Sequence, residues 1–559
     1  MVKGFLNFFN KEVSGIHQAA YLLAFFAIFS QILALVRDKL LAFTFGAGSF
    51  LDVYYAAFRV PDFIFVTIGS IVSMTVIIPF LMERLSKSRE DARKLIDSVF
   101  TVFFVVIVIV ALIAFAVSAP LLKFLFPGFL SEQLSTLVIF TRILLLSPII
   151  LGISNLFGSL TQSSNKYLVY GLSPVLYNVG IIFGIIVFLP VFGLAGLVWG
   201  VVLGAILHLL IQVPAVFKMN LIPRFTKKVD FPLVIKTFAT SIPRTLALSF
   251  THLSILALLS LASTLSPGSI SIFNFSFNLQ SVPLSIIGVS YSLAVFPTIS
   301  KLYVQNRKDD LTREISSSAR HIIFWSIPFT VIFIVLRAHI VRIILGSGNF
   351  DWADTRLTAA ALALFAFSLF LQNLSLLIVR GFYAIGNTKT PLVVNFISAG
   401  TIIISAYWFL NLFNNHMVFR FFIESLFKVS DIPGTSVLML PLAYTAGSIV
   451  NGIVLLIIFG SKLKGFVRSI FPTFFQSLSA SVIMGAFIFL SLRVFDNIFS
   501  LDRFFGLLGQ AFFSATIGIA VGVLILLLLK NNEIKTIWAN AHQKFWKKAV
   551  IVGPDPEVV

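Results

Sequence analysis

The chain has no cysteine, which excludes a disulfide framework and every thiolate-based metal or nucleophilic site. It is also poor in charge. Only 11% of its 559 residues are Asp, Glu, Lys or Arg, against about a quarter in soluble domains. Acidic residues are the scarcer sign, 22 against 41 basic, for a formal net charge of +19. The sequence also lacks metal-ligand spacings, a phosphate-cradling glycine loop, a nucleophile elbow and paired catalytic carboxylates. It is not read as an enzyme, and no metal or cofactor is expected. The first fifteen residues hold Lys3, Lys11 and Glu12 without a small-residue cleavage pattern, so no cleavable signal peptide is expected.

Apolar residues dominate instead. They make up 58% of the chain, with 63 Phe, and the mean hydropathy is +1.01. Apolar stretches recur along the whole length, each near the roughly 20 residues that cross a bilayer. They are continuous rather than alternating, which argues against a β-barrel. The pattern predicts an all-α polytopic membrane protein of about fourteen transmembrane helices. Their centres fall near Phe29, Ile68, Ile107, Ile150, Ile181, Leu203, Leu248, Ile286, Val331, Leu369, Ile402, Val450, Ile483 and Ile519.

In a soluble protein the positive charge would suggest nucleic acid. Here the basic residues concentrate in alternate loops, as the positive-inside rule requires, and no nucleic-acid partner is expected. One set of loops carries Arg84, Lys87, Arg89, Arg93 and Lys94, then Lys218, Arg224, Lys227 and Lys228, then Lys301, Arg307, Lys308 and Arg313. The intervening loops 46–49 and 189–193 have no basic residue. Both termini are therefore expected in the cytoplasm, which needs an even number of spans.

The two halves resemble each other. Ile78-Pro79-Phe80 precedes one charged loop and Phe296-Pro297-Thr298 another, the prolines lying 218 positions apart. Lys166 and Lys389 follow spans 4 and 10 at a separation of 223. Such spacing marks two six-helix lobes in parallel pseudo-repeat, a transporter architecture. The expected organisation is a cytoplasmic or interfacial N-terminus at 1–16 and an N-lobe at 17–217. A linker at 218–231 leads to a C-lobe at 232–461, a C-terminal helix pair at 462–531 and a cytoplasmic tail at 532–559. Residues 418–427, between spans 11 and 12, read either as a short interfacial helix or as an ordinary loop.

Charges inside lipid-spanning helices cost about 2.5–3.5 kcal/mol each on insertion scales, and so normally face a cavity or a partner. Arg37, Asp38 and Arg59 are such charges. Asp38 lies ten residues before the turn near Gly48 and Arg59 eleven after it, so two antiparallel helices place them at similar depth. An Asp38–Arg59 ion pair is expected, with Arg37 pointing elsewhere. The alternative is an architectural pair near the membrane surface. Gly46 and Gly48 form the turn, and Asp52 is expected to cap the helix that follows it. Pro61 and Gly69 are expected to bend span 2, and Pro283, Gly288 and Pro297 to weaken span 8. Further polar residues at depth include Gln31, Arg142, Arg244, Asn274, Asn278 and Asn451. Asn274 and Asn451 are read as helix–helix glue. His208 and His252 lack a carboxylate at helical spacing and read as hydrogen-bonders rather than proton carriers.

Taken together, these residues resemble a known family. Ser30-Gln31-Ile32-Leu33-Ala34-Leu35-Val36-Arg37-Asp38, Phe45-Gly46-Ala47-Gly48, Asp52 and Ala57-Phe58-Arg59-Val60-Pro61 are similar to the opening of the MurJ/MviN family of lipid II flippases. Asn278-Leu279-Gln280-Ser281-Val282-Pro283-Leu284 and Gly386-Asn387-Thr388-Lys389-Thr390-Pro391 extend the likeness. The resemblance implies the multidrug/oligosaccharidyl-lipid/polysaccharide exporter fold, two six-helix lobes around a cavity. It implies that spans 13 and 14 form a groove for a polyprenyl tail. The implied substrate is undecaprenyl-pyrophosphate-linked, moved between leaflets of the bacterial cytoplasmic membrane by alternating access. Coupling to membrane potential or a monovalent cation gradient is implied, as are membrane lipids and cell-wall synthesis enzymes as partners. Arg37, Asp38, Arg59, Gln31, Asn278 and Arg142 are the implied substrate-binding positions. Three of the family's basic positions fall here on Gln31, Phe65 and Asn278, and a fourth on Val66. The other readings are a flippase for another polyprenyl-linked oligosaccharide, a cation-coupled small-molecule exporter, and a membrane scaffold.

Overall fold

The computed structural model describes residues 16–72, 74–500 and 503–535. The expected terminal segments 1–16 and 532–559 lie almost wholly outside them. The described residues form helices, with no strand among them. Eleven helices are long and apolar enough to cross a membrane, and twelve if Trp352–Ala366 and Leu369–Ala384 count as one broken span. These correspond to expected spans 3 to 14. The first two expected spans are not among these helices. The first helix, Ile16–Phe45, carries Arg37, Asp38 and Lys39 in its second half. The second span is divided into Ser49–Ala57, Arg59–Ile68, a 3₁₀ turn at Gly69–Val72, and Met74–Leu85.

The chain groups into two compact units. One comprises Met1–Val282, Ile340–Ser368 and Gly386–Leu455. Within it, helices Tyr167–Phe183 and Ala195–Leu210 pack through small residues. A Cβ on Gly180 would lie 2.3 Å from Gly204 Cα, and one on Gly200 would lie 2.4 Å from Gly184 Cα. With lipid as solvent there is no hydrophobic gain from pairing helices, so close backbone approach supplies the attraction. Residues 417–427 settle the open alternative as a helix, Met417–Phe427. It exposes Met417, Val418, Phe421, Phe422 and Leu426 and buries Ile423, Glu424 and Phe427, an amphipathic arrangement suited to a membrane interface. Glu424 is satisfied by Arg420 Nε at 2.9 Å and Thr435 Oγ1 at 2.7 Å. Just beyond, Arg356 is bidentate on Asp431, at 2.7 and 2.6 Å. Its hydrogen bonds hold that exposed carboxyl below the usual carboxylate range.

The other unit comprises Pro283–His339, Leu369–Ile385 and Leu456–Val559. The C-terminal helices Phe466–Phe495 and Phe504–Leu528 pair closely, since a Cβ on Gly518 would sit 2.2 Å from Ile488 Cγ1. Buried Phe324, Ala480 and Leu526 join this pair to helix Lys308–Val335. Beyond the last span, buried Glu533 accepts from Arg320 Nε at 2.8 Å. A buried carboxylate needs such a partner, because an unpaired one costs several kcal/mol.

The glycine contact gives a test. Gly200→Leu should force the two helices apart and cost about 1–3 kcal/mol, the usual penalty of overpacking. It should lower the thermal midpoint of the purified protein. Gly400→Leu, where nothing lies within 4 Å, should leave that midpoint unchanged.

Candidate functional site

The first helix turns its second half inward. Asp38 is 2% exposed and the Arg37 side chain 20%. The expected Asp38–Arg59 pair does not form. Arg37 Nη2 and Nε both donate to Asp38 Oδ1, at 2.8 and 2.9 Å. Neighbouring residues on a helix point apart, but the arginine side chain is long enough to curl back along the surface. Its remaining nitrogen, Nη1, donates to Asn178 Oδ1 at 3.3 Å. The Asn178 amide is held in turn by Ser30, whose Oγ accepts from Nδ2 at 3.1 Å.

The second carboxylate oxygen of Asp38 accepts from Asn278 Nδ2 at 2.9 Å. Arg59 Nη2 donates to Asn274 Oδ1 at 2.5 Å, while the buried Arg59 Nε has no partner. Asn274 and Asn278 are four residues apart on helix Ser269–Pro283, so they share a face. One helix therefore serves both charges, an amide to each, where a direct ion pair was expected. Asn274 is thus the acceptor of an arginine as well as helix glue. Asn178 is a member that sequence reasoning missed. The i,i+4 spacing of Asn274 and Asn278 is a legible signal, whereas nothing near Asn178 distinguishes it.

A second set of bonds gathers around the turn after the first helix. Asp52 does not cap its own helix, whose N-cap is Gly48 with no side-chain bond. It caps helix Ser269–Pro283 instead. Its Oδ2 accepts from Gly268 N at 2.7 Å, and Oδ1 accepts from Ser271 N at 2.8 Å and Ser271 Oγ at 2.7 Å. Asp354 Oδ2 accepts from Ala47 N at 2.9 Å, and Asn349 Nδ2 donates to Thr44 O at 2.7 Å. Lys39 Nζ reaches the Ile343 carbonyl at 3.1 Å. Gly46 has φ +64° and a Cβ there would meet Asn349 O at 2.5 Å, so the turn admits no side chain.

The expected weak points coincide with breaks in the helices. Pro61 is the third residue of helix Arg59–Ile68, where its missing N–H forfeits no helical bond. Phe58, between this helix and the one before it, keeps right-handed helical angles, φ −74° and ψ −21°, so the two segments follow on through an interruption at the proline. Gly69 starts the 3₁₀ turn. After Pro283 the backbone passes through a π-helical turn, Leu284–Val289, that contains Gly288. There Gly288 N donates to Asn373 Oδ1 at 2.9 Å. Such insertions are frequent at functional sites.

Other candidates lie outside the cluster. Gln31 is half-buried on the first helix, and among the described residues it is Ser30 that joins the Asn178 network. Arg142 donates from Nε to Ser118 Oγ at 2.9 Å and stacks over Phe115 at 4.7 Å. His208 Nδ1 meets Ser154 Oγ at 2.7 Å, and Asn451 Nδ2 donates to Asn395 Oδ1 at 3.0 Å, helix-to-helix bonds as expected. The Arg244 side chain lies outside the described residues. Beside Arg59, a pocket of about 20 Å³ is lined by Pro61, Asp62, Ser147 and Tyr177, room for a single water. In this arrangement every side-chain nitrogen of Arg37 has a partner within the protein, whereas the buried Arg59 Nε has none.

Removing the acceptor of Arg59 should be costly. Asn274→Leu should destabilise by about 1.5–3 kcal/mol, the range for a hydrogen bond to a charged group. Asn451→Leu breaks an amide–amide contact and should cost about 0.6 kcal/mol. Thermal unfolding of the two variants side by side checks the ranking.

A family model described as lipid II flippase MurJ matches residues 41–508. The chain is 28% identical over 375 residues to the probable lipid II flippase MurJ of Buchnera aphidicola subsp. Acyrthosiphon pisum, covering 65% of this chain and 72% of that protein. It is 24% identical over 381 residues to the lipid II flippase MurJ of Burkholderia cenocepacia, covering 66% and 73% respectively. Among solved structures, lipid II flippase MurJ in an inward closed conformation superposes with a TM-score of 0.72 at 22% identity, covering 93% of this chain and all of that one. An inward-facing multidrug resistance MATE family transporter superposes at 0.63 with 13% identity, covering 78% and 96%.

Proposed function

The chain belongs to the lipid II flippase MurJ family, and we propose on that basis that it moves lipid II from the inner to the outer leaflet of the bacterial cytoplasmic membrane. It is a multi-span membrane protein of a transporter family, which supports reading it as a carrier and not as an enzyme. Both termini lie in the cytoplasm in this reading, and the substrate is the undecaprenyl-pyrophosphate-linked precursor. Cell-wall synthesis enzymes supply and consume it.

One observation carries the mechanism. Two buried arginines each reach a neutral amide: Arg59 donates to Asn274, and Arg37, paired through two nitrogens with Asp38, donates with its third to Asn178. A pyrophosphate offers charge-assisted bonds roughly twice as strong as those to neutral acceptors, so it displaces the amides without leaving a guanidinium unsatisfied. Asp38 and Asn278 hold Arg37 in place before and after that exchange. The headgroup passes along this polar path while the prenyl tail stays in lipid, against helices Phe466–Phe495 and Phe504–Leu528. Membrane potential or a monovalent cation gradient resets the cycle.

The bonds of Asp52, Ala47 and Asn349 act as the outer closure in this scheme. They are few, local and hydrogen-bonded, so they are exchangeable with water when the path opens outward. The interruptions at Pro61 and Gly69, and the π turn at Leu284–Val289, let those segments move. A second reading is favoured by Gln31, Phe65, Val66 and Asn278, which stand where the family resemblance places basic residues. It is a polyprenyl-linked oligosaccharide with a less anionic headgroup.

Two experiments test the proposal. Cells depleted of their lipid II flippase should regain growth and outer-leaflet lipid II when this protein is supplied. Arg37→Ala should abolish rescue with the protein level intact, and full rescue by that variant would remove Arg37 from the mechanism. Failure of the parent protein to rescue would favour the second reading. The cysteine-free chain also permits a gate assay with Ala47→Cys. Its labelling by a membrane-impermeant thiol reagent should rise several-fold when Asp52→Ala removes the closure.

A further inference from the structure

A cleft of about 420 Å³ opens where helix Arg89–Ala116 begins, and neither Arg37 nor Arg59 lines it. Two segments build it. Arg89 and Arg93 come from the first turns of that helix, and Phe217, Asn220 and Arg224 from the stretch around the end of helix Val213–Lys218. The second wall is tied to the first along its length. Arg89 Nη2 donates to the Met219 carbonyl. Arg224 N donates to Asp97 Oδ1 at 2.8 Å, and Thr226 N to Thr101 Oγ1 at 3.1 Å. The cleft is therefore a built feature of this unit.

Its charge is unbalanced. Arg93 Nε sits 3.7 Å from Asp97 Oδ2, a loose contact. Neither Arg89 nor Arg224 forms an ion pair with a carboxylate among the described residues. Glu90, the one acidic side chain on the wall, is highly exposed and turned to Lys94 at 3.5 Å. Three arginines thus line one cavity, and their single carboxylate contact is the loose one from Arg93 to Asp97. Planar guanidinium forks match phosphate oxygens in geometry as well as charge.

The surroundings decide between a soluble anion and a lipid. Phe217 and Phe225 are 65% and 63% exposed beside the cleft, an arrangement that water disfavours and acyl chains accept. Helix Arg89–Ala116 is a candidate membrane span, so its charged first turn marks the membrane surface. The positive-inside rule makes that surface cytoplasmic, facing the leaflet whose anionic lipids attract basic clusters. We propose that this cleft binds the phosphate headgroup of an anionic membrane phospholipid, which bridges residues 217–224 to the start of helix Arg89–Ala116. The inference does not depend on which substrate the protein carries.

The test uses the full-length purified protein. Thermal unfolding and lipid retention in native mass spectrometry are followed with phosphatidylglycerol, phosphatidylcholine or inorganic phosphate. Phosphatidylglycerol should be retained and raise the midpoint by several degrees, with the other two having little effect. The triple variant R89Q/R93Q/R224Q should lose at least tenfold in affinity for phosphatidylglycerol. K227Q/K228Q removes two exposed charges that lie nearby in sequence but off the wall, and should lose little. Because Arg89 also ties the walls, Asn220→Asp provides an independent arm. It adds a carboxylate at an exposed left-handed residue, φ 51°, that Asp tolerates, and it should weaken retention with no loss of lipid-free stability. Equal loss from K227Q/K228Q would reduce the effect to diffuse surface charge and overturn the site. Equal stabilisation by inorganic phosphate would overturn the lipid assignment.

Discussion

The arrangement rests on burying Arg37, Asp38 and Arg59 with polar partners drawn from distant parts of the chain. Burying such a group unpaired is costly, and a pair repays desolvation only when the remaining donors and acceptors are also satisfied. Asp38 answers with both oxygens, one to Arg37 and one to Asn278. Helix Ser269–Pro283 is drawn into position by that demand. It carries Asn274 and Asn278 on one face, and its start is capped by Asp52. One acidic residue at depth and one at the turn thus fix where a helix more than two hundred residues away must lie.

The same economy runs through the bonds around Arg37, Asp38 and Arg59 and those around the turn that follows the first helix. Both use hydrogen bonds to amides, backbone groups and a few carboxylates, where apolar packing would do for a static seal. Bonds of this kind have nearly equal alternatives in water or in an anionic ligand, so breaking them in sequence costs little net free energy. Tight apolar contacts occur instead at the glycine-lined approach of Tyr167–Phe183 to Ala195–Leu210 and in the pairing of the two C-terminal helices.

Much of this was legible in the chain alone. Continuous apolar runs read directly as helices, since the bilayer sets their length, and spans 3 to 14 fall where the runs lie. The prominence of Arg37, Asp38, Arg59 and Asn278 was legible because a charge or amide in such a run is conspicuous. The pairing was not. Helix spacing predicts which residues share a face, yet a four-bond arginine side chain reaches round that face, so Arg37 took the partner assigned to Arg59. Asp52 was rightly read as a capping residue but on the wrong helix, because a cap is identified by side-chain chemistry while its client is chosen by topology. Asn178 carried no signal, since a single amide in an apolar helix looks the same whether it glues helices or holds an arginine.

The sequence by itself determined that this is a helical membrane protein with buried charge near its start, because hydropathy and the cost of intramembrane ions act on composition and local order. Only the tertiary structure decided which groups satisfy those charges, where the second span breaks, and that Arg89, Arg93 and Arg224 converge on one cleft. These depend on contacts between segments far apart in the chain, and no local pattern encodes a partner that only folding brings within hydrogen-bonding distance.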